Sequence, residues 1–208
     1  MAKISEIRKV SAEHVTEPVV WLLAKTSVTP SVISVVGFCL AVVAAVLVAI
    51  GQVIAGGVVV LVAGFFDMLD GALARRTNQT TLFGGVLDST LDRFSEAVIL
   101  LGVLTIFLFT EERNFFTLLS REWAVLLVGV VLFSSLLVSY IRARAEASGM
   151  ECKVGIFTRS ERVVVLALGL LLSQVDSALV ITLAIIGVLS LVAAGQRLLC
   201  VWQQTRVK

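Results

Sequence analysis

Residues 26–66, TSVTPSVISVVGFCLAVVAAVLVAIGQVIAGGVVVLVAGFF, form the longest stretch of this 208-residue chain that lacks Asp, Glu, Lys and Arg. Its 41 residues are enough for two crossings of a bilayer, because a transmembrane helix needs about 20 mostly apolar residues. Gly51 and Gln52 interrupt the apolar run near its middle. Backbone amides inside lipid need partners within their own segment, and apolar runs of this length meet that need as helices. The stretch therefore predicts two membrane-spanning helices, at about residues 31–50 and 54–74.

Four more apolar segments follow along the chain. One of them contains a charge-free run from Trp123 to Ile141, and the segment that ends near Phe109 differs because its first half contains charged residues. The fifth segment is long enough for a crossing only if it begins near Thr158. We predict these four spans at about residues 84–109, 123–141, 158–175 and 177–196. The predicted fold class is therefore an all-α integral membrane protein with six transmembrane helices.

The composition agrees with this class and excludes others. The chain is 58% hydrophobic and 15% charged, whereas soluble domains are about 45–50% apolar and about 25% charged. A chain this apolar is neither intrinsically disordered nor collagen-like. Its three cysteines have no paired spacing, so they indicate neither a disulfide framework nor a zinc site.

The segment before the first span mixes apolar and charged residues. It suits an amphipathic helix that lies in the membrane interface and is kinked or broken at Pro18. The only histidine, His14, falls in this segment, and we interpret it as a solvated surface residue. Because no internal repeat or linker is evident, we predict one domain, residues 1–208, with the interfacial helix in 1–25 and the six-span bundle in 26–208.

The basic residues are divided unevenly between the two ends of the predicted bundle. With six spans, the end that holds both termini has 14 of the 17 Lys and Arg residues, while the opposite end has only Arg113 and Arg121, and Arg93 lies within a span. Cytoplasmic loops of membrane proteins are enriched in Lys and Arg. We therefore predict a multi-pass protein of the plasma membrane with both termini in the cytoplasm.

Four aspartates stand at the border of two predicted helices, in residues 67–92, DMLDGALARRTNQTTLFGGVLDSTLD. Asp67 and Asp70 are spaced i, i+3, and Asp88 and Asp92 are spaced i, i+4, so each pair shares one face of its helix. The loop between the helices is short, which makes them antiparallel neighbours. We expect the four carboxylates to converge near the cytoplasmic side.

Four carboxylates in a membrane helix pair need an explanation, because each costs about 2.5–3.5 kcal/mol at the bilayer centre. Carboxylate-only clusters suit Mg²⁺ or Mn²⁺, and two divalent ions would balance four negative charges. Gly71 would allow a bulky ligand to approach the backbone closely. The cluster therefore predicts a divalent metal site.

The spacing Asp67-x2-Asp70-Gly71-x2-Ala74-Arg75-x8-Gly84-x3-Asp88-x3-Asp92 resembles the complete signature of the CDP-alcohol phosphatidyltransferase family. The resemblance implies a reaction in which the hydroxyl group of an alcohol attacks the β-phosphorus of a CDP-linked lipid and CMP leaves. It implies that Asp67, Asp70 and Asp88 are metal ligands, and that Asp92 both binds metal and takes the proton of the acceptor. The positions that it implies for binding the donor's cytidine diphosphate are Gly71, Arg75, Thr81 and the stretch Ser31, Val32, Ile33 and Ser34.

Five arginines at predicted helix ends bear on the identity of the acceptor: Arg142, Arg144, Arg159, Arg162 and Arg197. They are either anchors in the cytoplasmic interface or the lining of one cavity, where arginines would favour a phosphorylated acceptor.

Residues 139–149, SYIRARAEASG, together with Arg159-x2-Arg162 and Gln196-Arg197, resemble the phosphatidylinositol-phosphate synthase branch of the family. This resemblance implies that the donor is CDP-diacylglycerol or its ether-lipid equivalent, that the acceptor is inositol 1-phosphate, and that the protein is a homodimer. The residues that it implies for the acceptor's phosphate are Ser139, Arg142, Arg159, Arg162 and Arg197.

Other functions remain open at this point. Archaetidylinositol-phosphate and phosphatidylglycerophosphate synthases of the same family also need a phosphate site. A divalent-cation transporter also needs carboxylates within its helices, although it would normally have them near the midplane, between inverted repeats. A purely structural membrane scaffold is the third class, and we expect no nucleic-acid partner.

Overall fold

The computed structural model describes residues 17–26, 28–110, 113–150, 155 and 157–206. In these ranges every regular element is helical, which confirms the all-α class. Residues 17–23 are helical, and Arg113–Phe116 form a short 3₁₀ turn. The six longer helices are α1 (Pro30–Ala49), α2 (Val53–Arg76), α3 (Leu82–Phe109), α4 (Arg121–Ala147), α5 (Arg159–Leu171) and α6 (Ala178–Arg206).

Local sequence signals explain where several helices begin. Pro30 occupies the first turn of α1, where the missing N–H is not needed. The Thr81 side chain caps α3 by accepting a hydrogen bond from the Gly84 N–H at 2.9 Å. Glu161 reaches back to the Thr158 N–H at the start of α5, at 2.6 Å. Each of these helices therefore starts at a residue that satisfies or removes a free backbone donor.

Four of the six helices, α1, α2, α4 and α6, are long and apolar enough to cross a membrane. Helix α3 has 28 residues, and its charged first half sets it apart from those four. Helix α5 has 13 residues, and at 1.5 Å per residue it rises about 20 Å, less than the ~30 Å of a hydrocarbon core. The predicted extension to residue 175 is therefore not observed: α5 ends at Leu171, and the chain turns before Ser177, which has a φ of 57°.

The helices pack in two groups that share a core. Helix α1 lies along both α2 and α3, α4 lies along α6, and α5 joins α2 to α6. Helices α1 and α3 approach so closely that a Cβ atom on Gly102 would lie 2.5 Å from the carbonyl oxygen of Ala45. Small residues at such crossings let apolar helices pack without large side chains between them.

The helical residues 17–23 pack on the outside of α1 and α2. Val20 is buried in a small cluster with Ile33, Leu69 and Leu73, while Trp21 is half exposed and has the Lys25 ammonium 3.2 Å from its ring centroid. Most of the predicted interfacial helix, including His14, lies outside the described residues.

The cysteine spacing indicated no disulfide framework, and the structure differs from that expectation. Cys39 is exposed and free, but Cys200 is disulfide-bonded. An odd number of cysteines excludes complete pairing but leaves one bond possible, and the sequence spacing carried no signal for it.

Candidate active site

The acidic residues meet where α2 ends and α3 begins. Asp67, Asp70 and Asp88 each offer an oxygen atom, and these atoms lie within 4.8 Å of one another. Asp70 is buried, and the other two are half-buried. The short connection between α2 and α3 brings three of the four predicted carboxylates together. The expectation that the two helices are direct neighbours is wrong, because along their lengths both pack on α1 rather than on each other.

Asp70 is held in place by two neutral donors. The Ser34 hydroxyl donates to its Oδ2 atom at 2.6 Å, and the Gly71 N–H donates to its Oδ1 atom. Asp70 is 3% exposed, and a buried carboxylate requires such partners. Ser34 thereby links the start of α1 to the acidic cluster.

Asp92 is not one of the three mutually close carboxylates, but it interacts with Asp67 and is bound to Arg159. The Arg159 Nη1 atom donates to Asp67 Oδ2 at 2.6 Å and also contacts Asp92 Oδ1. The Arg159 Nε atom is buried and has no hydrogen-bond partner. Arg159 therefore acts as the counter-ion of two carboxylates and leaves one of its own donors unsatisfied.

The donor set fits a hard divalent cation. Three carboxylates whose oxygens lie within 4.8 Å of one another concentrate negative charge that needs a cation, and oxygen ligands of this kind suit Mg²⁺ and Mn²⁺. The position of Arg159 between Asp67 and Asp92 shows that a cation is accommodated beside the trio.

An open cleft of about 200 Å³ lies next to the acidic cluster, between the start of α1 and the α2–α3 connection. Within the predicted stretch 31–34, Ser31 and Ser34 line the cleft, whereas Val32 is half exposed elsewhere and Ile33 is buried in the small cluster beneath residues 17–23. The other predicted donor-binding residues also line the cleft: Gly71, Arg75 and Thr81.

The residues predicted for the acceptor's phosphate lie in different environments. Arg142 is exposed and pairs with Glu146 on its own helix at 2.8 Å. The Arg197 Nη1 atom donates to the Val138 carbonyl oxygen at 2.7 Å, and this guanidinium lies within electrostatic range of Arg142. Ser139, the residue after Val138, is half-buried on α4.

Arg159 joins the acidic cluster, as described above, and Arg162 is buried and bound to Glu96. The predicted residues thus approach one region of the bundle, but several of them are occupied by partners within the protein.

Glu96 is the functional candidate that sequence reasoning missed. Together with Asp67, Asp88, Asp92 and Arg159, it lines a narrow inner cavity of about 20 Å³. A signal was present in the sequence, because Glu96 follows Asp92 by four residues and therefore shares its helix face. Its partner on α5 could not be read from that spacing.

The sequence matches a family model described as CDP-alcohol phosphatidyltransferase over residues 27–196. This range contains all of the acidic cluster and all of the residues that line the cleft.

Individual relatives cover nearly the whole chain. The archaetidylinositol phosphate synthase of Methanothermobacter thermautotrophicus is 39% identical over 84% of this chain and 83% of its own length. The phosphatidylinositol phosphate synthase of Mycobacterium marinum is 33% identical over 97% of this chain and 86% of its own length.

Solved structures of the Mycobacterium tuberculosis phosphatidylinositol phosphate synthase have the same fold. The structure with CDP-DAG bound superposes with a TM-score of 0.79 and 34% identity, covering 91% of this chain and 94% of that one. The structure in complex with manganese and citrate has the same score and identity and covers 90% and 88%.

Proposed function

The chain belongs to the CDP-alcohol phosphatidyltransferase family, and from this we propose that it transfers a phosphatidyl group from CDP-diacylglycerol to the hydroxyl group of inositol 1-phosphate. The products are phosphatidylinositol phosphate and CMP, in a pathway of phospholipid biosynthesis. The observation that carries the proposal is the position of the Asp67, Asp70 and Asp88 oxygens at the edge of the cleft that holds Arg75.

Asp67, Asp70, Asp88 and Asp92 would hold two Mg²⁺ ions, or Mn²⁺ in their place. The manganese-bound structure of the mycobacterial relative supports a divalent metal. When bound, such ions would withdraw charge from the pyrophosphate and favour departure of CMP.

The cleft provides the features that a cytidine diphosphate requires. Arg75 supplies a cation for the diphosphate, and Gly71, which lines the cleft without a side chain, leaves its backbone open to a bulky group. Ser31, Thr81 and Ser34 add hydroxyl groups along the wall. Val32 and Ile33 shape the helix that presents those serines.

Asp92 is the proton acceptor in this proposal. A new bond forms between the acceptor's oxygen and the β-phosphorus, the bond from that phosphorus to the oxygen of CMP breaks, and the proton of the hydroxyl passes to the Asp92 carboxylate. Asp92 faces the inner cavity beside the metal ligands, which is where an attacking hydroxyl would have to lie.

The acceptor's phosphate would be held by a set of basic residues with one hydroxyl group. Arg142 and Arg159 are accessible enough to contact it, while Arg162 and Arg197 are buried and supply positive charge from behind. Ser139 would add a hydrogen bond. Arginine suits this role because its planar guanidinium binds phosphate through two parallel hydrogen bonds.

In the membrane, we propose that all six helices cross or nearly cross the bilayer, with both termini and the active site at the cytoplasmic face of the plasma membrane. Three acidic side chains of α3, Asp88, Asp92 and Glu96, line the inner cavity rather than facing lipid, which makes that helix tolerable as a span. A homodimer is proposed by resemblance to the family.

Measurement of CMP release tests the proposal. The purified protein in detergent is given CDP-diacylglycerol and Mg²⁺, with inositol 1-phosphate, free inositol, glycerol 3-phosphate or serine offered separately. Release with inositol 1-phosphate alone is the expected result. Release with glycerol 3-phosphate instead would keep the acidic-cluster chemistry and overturn the choice of acceptor.

The sequence identity to the archaetidylinositol phosphate synthase of Methanothermobacter favours a second candidate donor, an ether lipid. The assay is therefore repeated with the ether analogue of CDP-diacylglycerol. If the folded protein releases no CMP from either donor, whichever acceptor is offered, the proposal is contradicted. That result would favour a transporter of divalent cations or a structural role.

A further inference from the structure

Glu96 is a buried acidic residue to which the proposed reaction gives no role. It lies one helical turn after Asp92 on α3 and is 7% exposed. Its Oε1 atom accepts a hydrogen bond from Arg162 Nε at 2.6 Å, and its Oε2 atom accepts one from Arg162 Nη2 at 2.8 Å. The pair is withdrawn from solvent on both sides, because the Arg162 side chain is only 2% exposed. Glu96 and Arg162 therefore neutralise each other inside the bundle.

This pair is the second of two arginine–carboxylate contacts between α3 and α5. The first joins Asp92 to Arg159, one turn nearer the N-terminal end of both helices. The two contacts follow in the same order along the two helices, so α3 and α5 run in the same direction at this point. Glu96 and Arg162 consequently lie directly beneath the carboxylates of the candidate metal site.

Other positively charged side chains lie near the Glu96–Arg162 pair. Arg197 is within electrostatic range of both Arg162 and Arg142, and Arg159, which binds the carboxylates, is within that range of Glu96 itself. The pair thus lies between an acidic group of side chains, which would attract a cation, and the basic group of Arg142 and Arg197, which would attract a phosphate.

Stability alone is a weak explanation for such a pair. Well-packed apolar residues often replace a buried ion pair without loss of stability, because both charges must first be removed from water. The electrostatic effect of the pair on neighbouring groups is a stronger explanation, since charges in a low dielectric act over a helical turn or more. Without Glu96, the charge of Arg162 would act on the carboxylates one turn away.

We propose that Glu96 is a positioning residue: it fixes the Arg162 guanidinium and cancels its charge, so that a cation-binding half and an anion-binding half coexist in one site. The inference rests on the proposed function, because it concerns the division of that site between metal and acceptor phosphate.

The test measures the binding of two probes, Mn²⁺ and inorganic phosphate, in separate calorimetric titrations of the folded protein in detergent. In Glu96→Gln the uncancelled charge of Arg162 is expected to weaken Mn²⁺ binding about tenfold and to tighten phosphate binding by a similar factor. A change of about tenfold in affinity is what one charge produces at an effective dielectric near 20. In Arg162→Gln both shifts are expected to reverse. Opposite shifts for the two probes are the signature of charge balance.

The double variant Glu96→Gln/Arg162→Gln restores the charge balance and is expected to bind both probes within about threefold of the wild type, since the two charge effects cancel. Glu122→Gln is the matched control and should change neither affinity, because Glu122 is an exposed acidic residue in the first turn of α4. If Glu96→Gln does not fold, the comparison of Arg162→Gln with the double variant carries the test.

Parallel loss of Mn²⁺ and phosphate binding in both single variants would overturn the inference, because it is the result expected of a purely structural pair. Unchanged affinities in variants of a wild type that binds both probes would also overturn it. A wild type that binds neither Mn²⁺ nor phosphate would overturn the proposed function itself, and the inference with it.

Discussion

Asp92 lies at the edge of the aspartate cluster, outside its close trio. Asp70 is hydrogen-bonded by Ser34 and Gly71, and it lies with Asp67 and Asp88 in the close trio of oxygens. The Asp92 carboxylate lines the inner cavity together with Asp67 and Asp88, and it shares Arg159 with Asp67. Asp92 is therefore the member of the cluster that lies outside the close trio, which fits a division between metal binding and proton transfer.

Replacement of Asp92 by Asn tests that division. The variant keeps the shape of the side chain but cannot accept the proton, so CMP release is expected to fall by at least about 10²-fold, the usual contribution of a general base. The protein should still insert and fold. Asp176→Asn, at an exposed position outside the site, is the matched control, and near-normal turnover of Asp92→Asn would show that another group takes the proton.

Arg159 competes with any cation for Asp67 and Asp92, because its Nη1 atom contacts both carboxylates. Replacement by Gln is therefore expected to tighten Mn²⁺ binding about tenfold, since one positive charge leaves the cluster. Electron paramagnetic resonance of bound Mn²⁺ would measure the change, with the exposed Arg144→Gln as the control. Weaker Mn²⁺ binding in Arg159→Gln would mean that Arg159 supports the metal site rather than competing with it.

At the scale of elements, the site depends on how closely α1 approaches its neighbours. Ser34 on α1 must reach Asp70 on α2, and it does so across 2.6 Å. The crossing of α1 and α3 is set deeper in the bundle by Gly102, whose missing side chain leaves room for the backbone at Ala45. The glycine is thus a packing requirement of the same helix pair that frames the inner cavity.

Gly102→Ala is expected to destabilise the protein by about 1–3 kcal/mol, the usual cost of overpacking a close contact. The physical cause is the added Cβ atom, which would lie 2.5 Å from the Ala45 carbonyl oxygen. Thermal unfolding in detergent measures the effect. Gly129→Ala is the matched control, because a Cβ atom there meets nothing within 4 Å, and equal melting temperatures for the two variants would contradict this account of the crossing.

At the scale of the whole molecule, the candidate site lies at one end of the bundle. The α2–α3 connection, the start of α1 and the start of α5 all contribute to the cleft or the cavity. Most Lys and Arg residues belong to the same end if six helices cross the membrane, which would place the site at the cytoplasmic face.

Labelling of introduced cysteines with a membrane-impermeant maleimide tests this orientation. Ser148→Cys, just after α4, should react only when the cytoplasmic side is accessible, whereas Leu118→Cys, which is 67% exposed before α4, should react in intact cells. The protein with its natural cysteines is the control for background labelling. The reverse pattern would invert the orientation, and labelling of both positions from one side would reduce the number of crossings.

The sequence by itself determined the helical class, the positions of most helices and the residues of the acidic cluster. It could do so because the decisive signals are local: long charge-free runs and pairs of aspartates that share a helix face. The end of α5 was missed by four residues because the apolar run continues past Leu171, while the turn before Ser177 depends on how the chain must enter α6.

Only the tertiary structure decided which charges meet. Arg159 and Arg162 read from the sequence as one cluster of phosphate-binding arginines, yet they are directed to Asp92 and Glu96 across a gap of more than sixty residues along the chain. Such pairs arise because long arginine side chains at the start of α5 reach α3, although the two helices do not pack against each other along their lengths, and a buried charge must find a partner. Helix periodicity predicts which residues share one face of a helix. Which residues that face contacts depends on how the whole molecule packs.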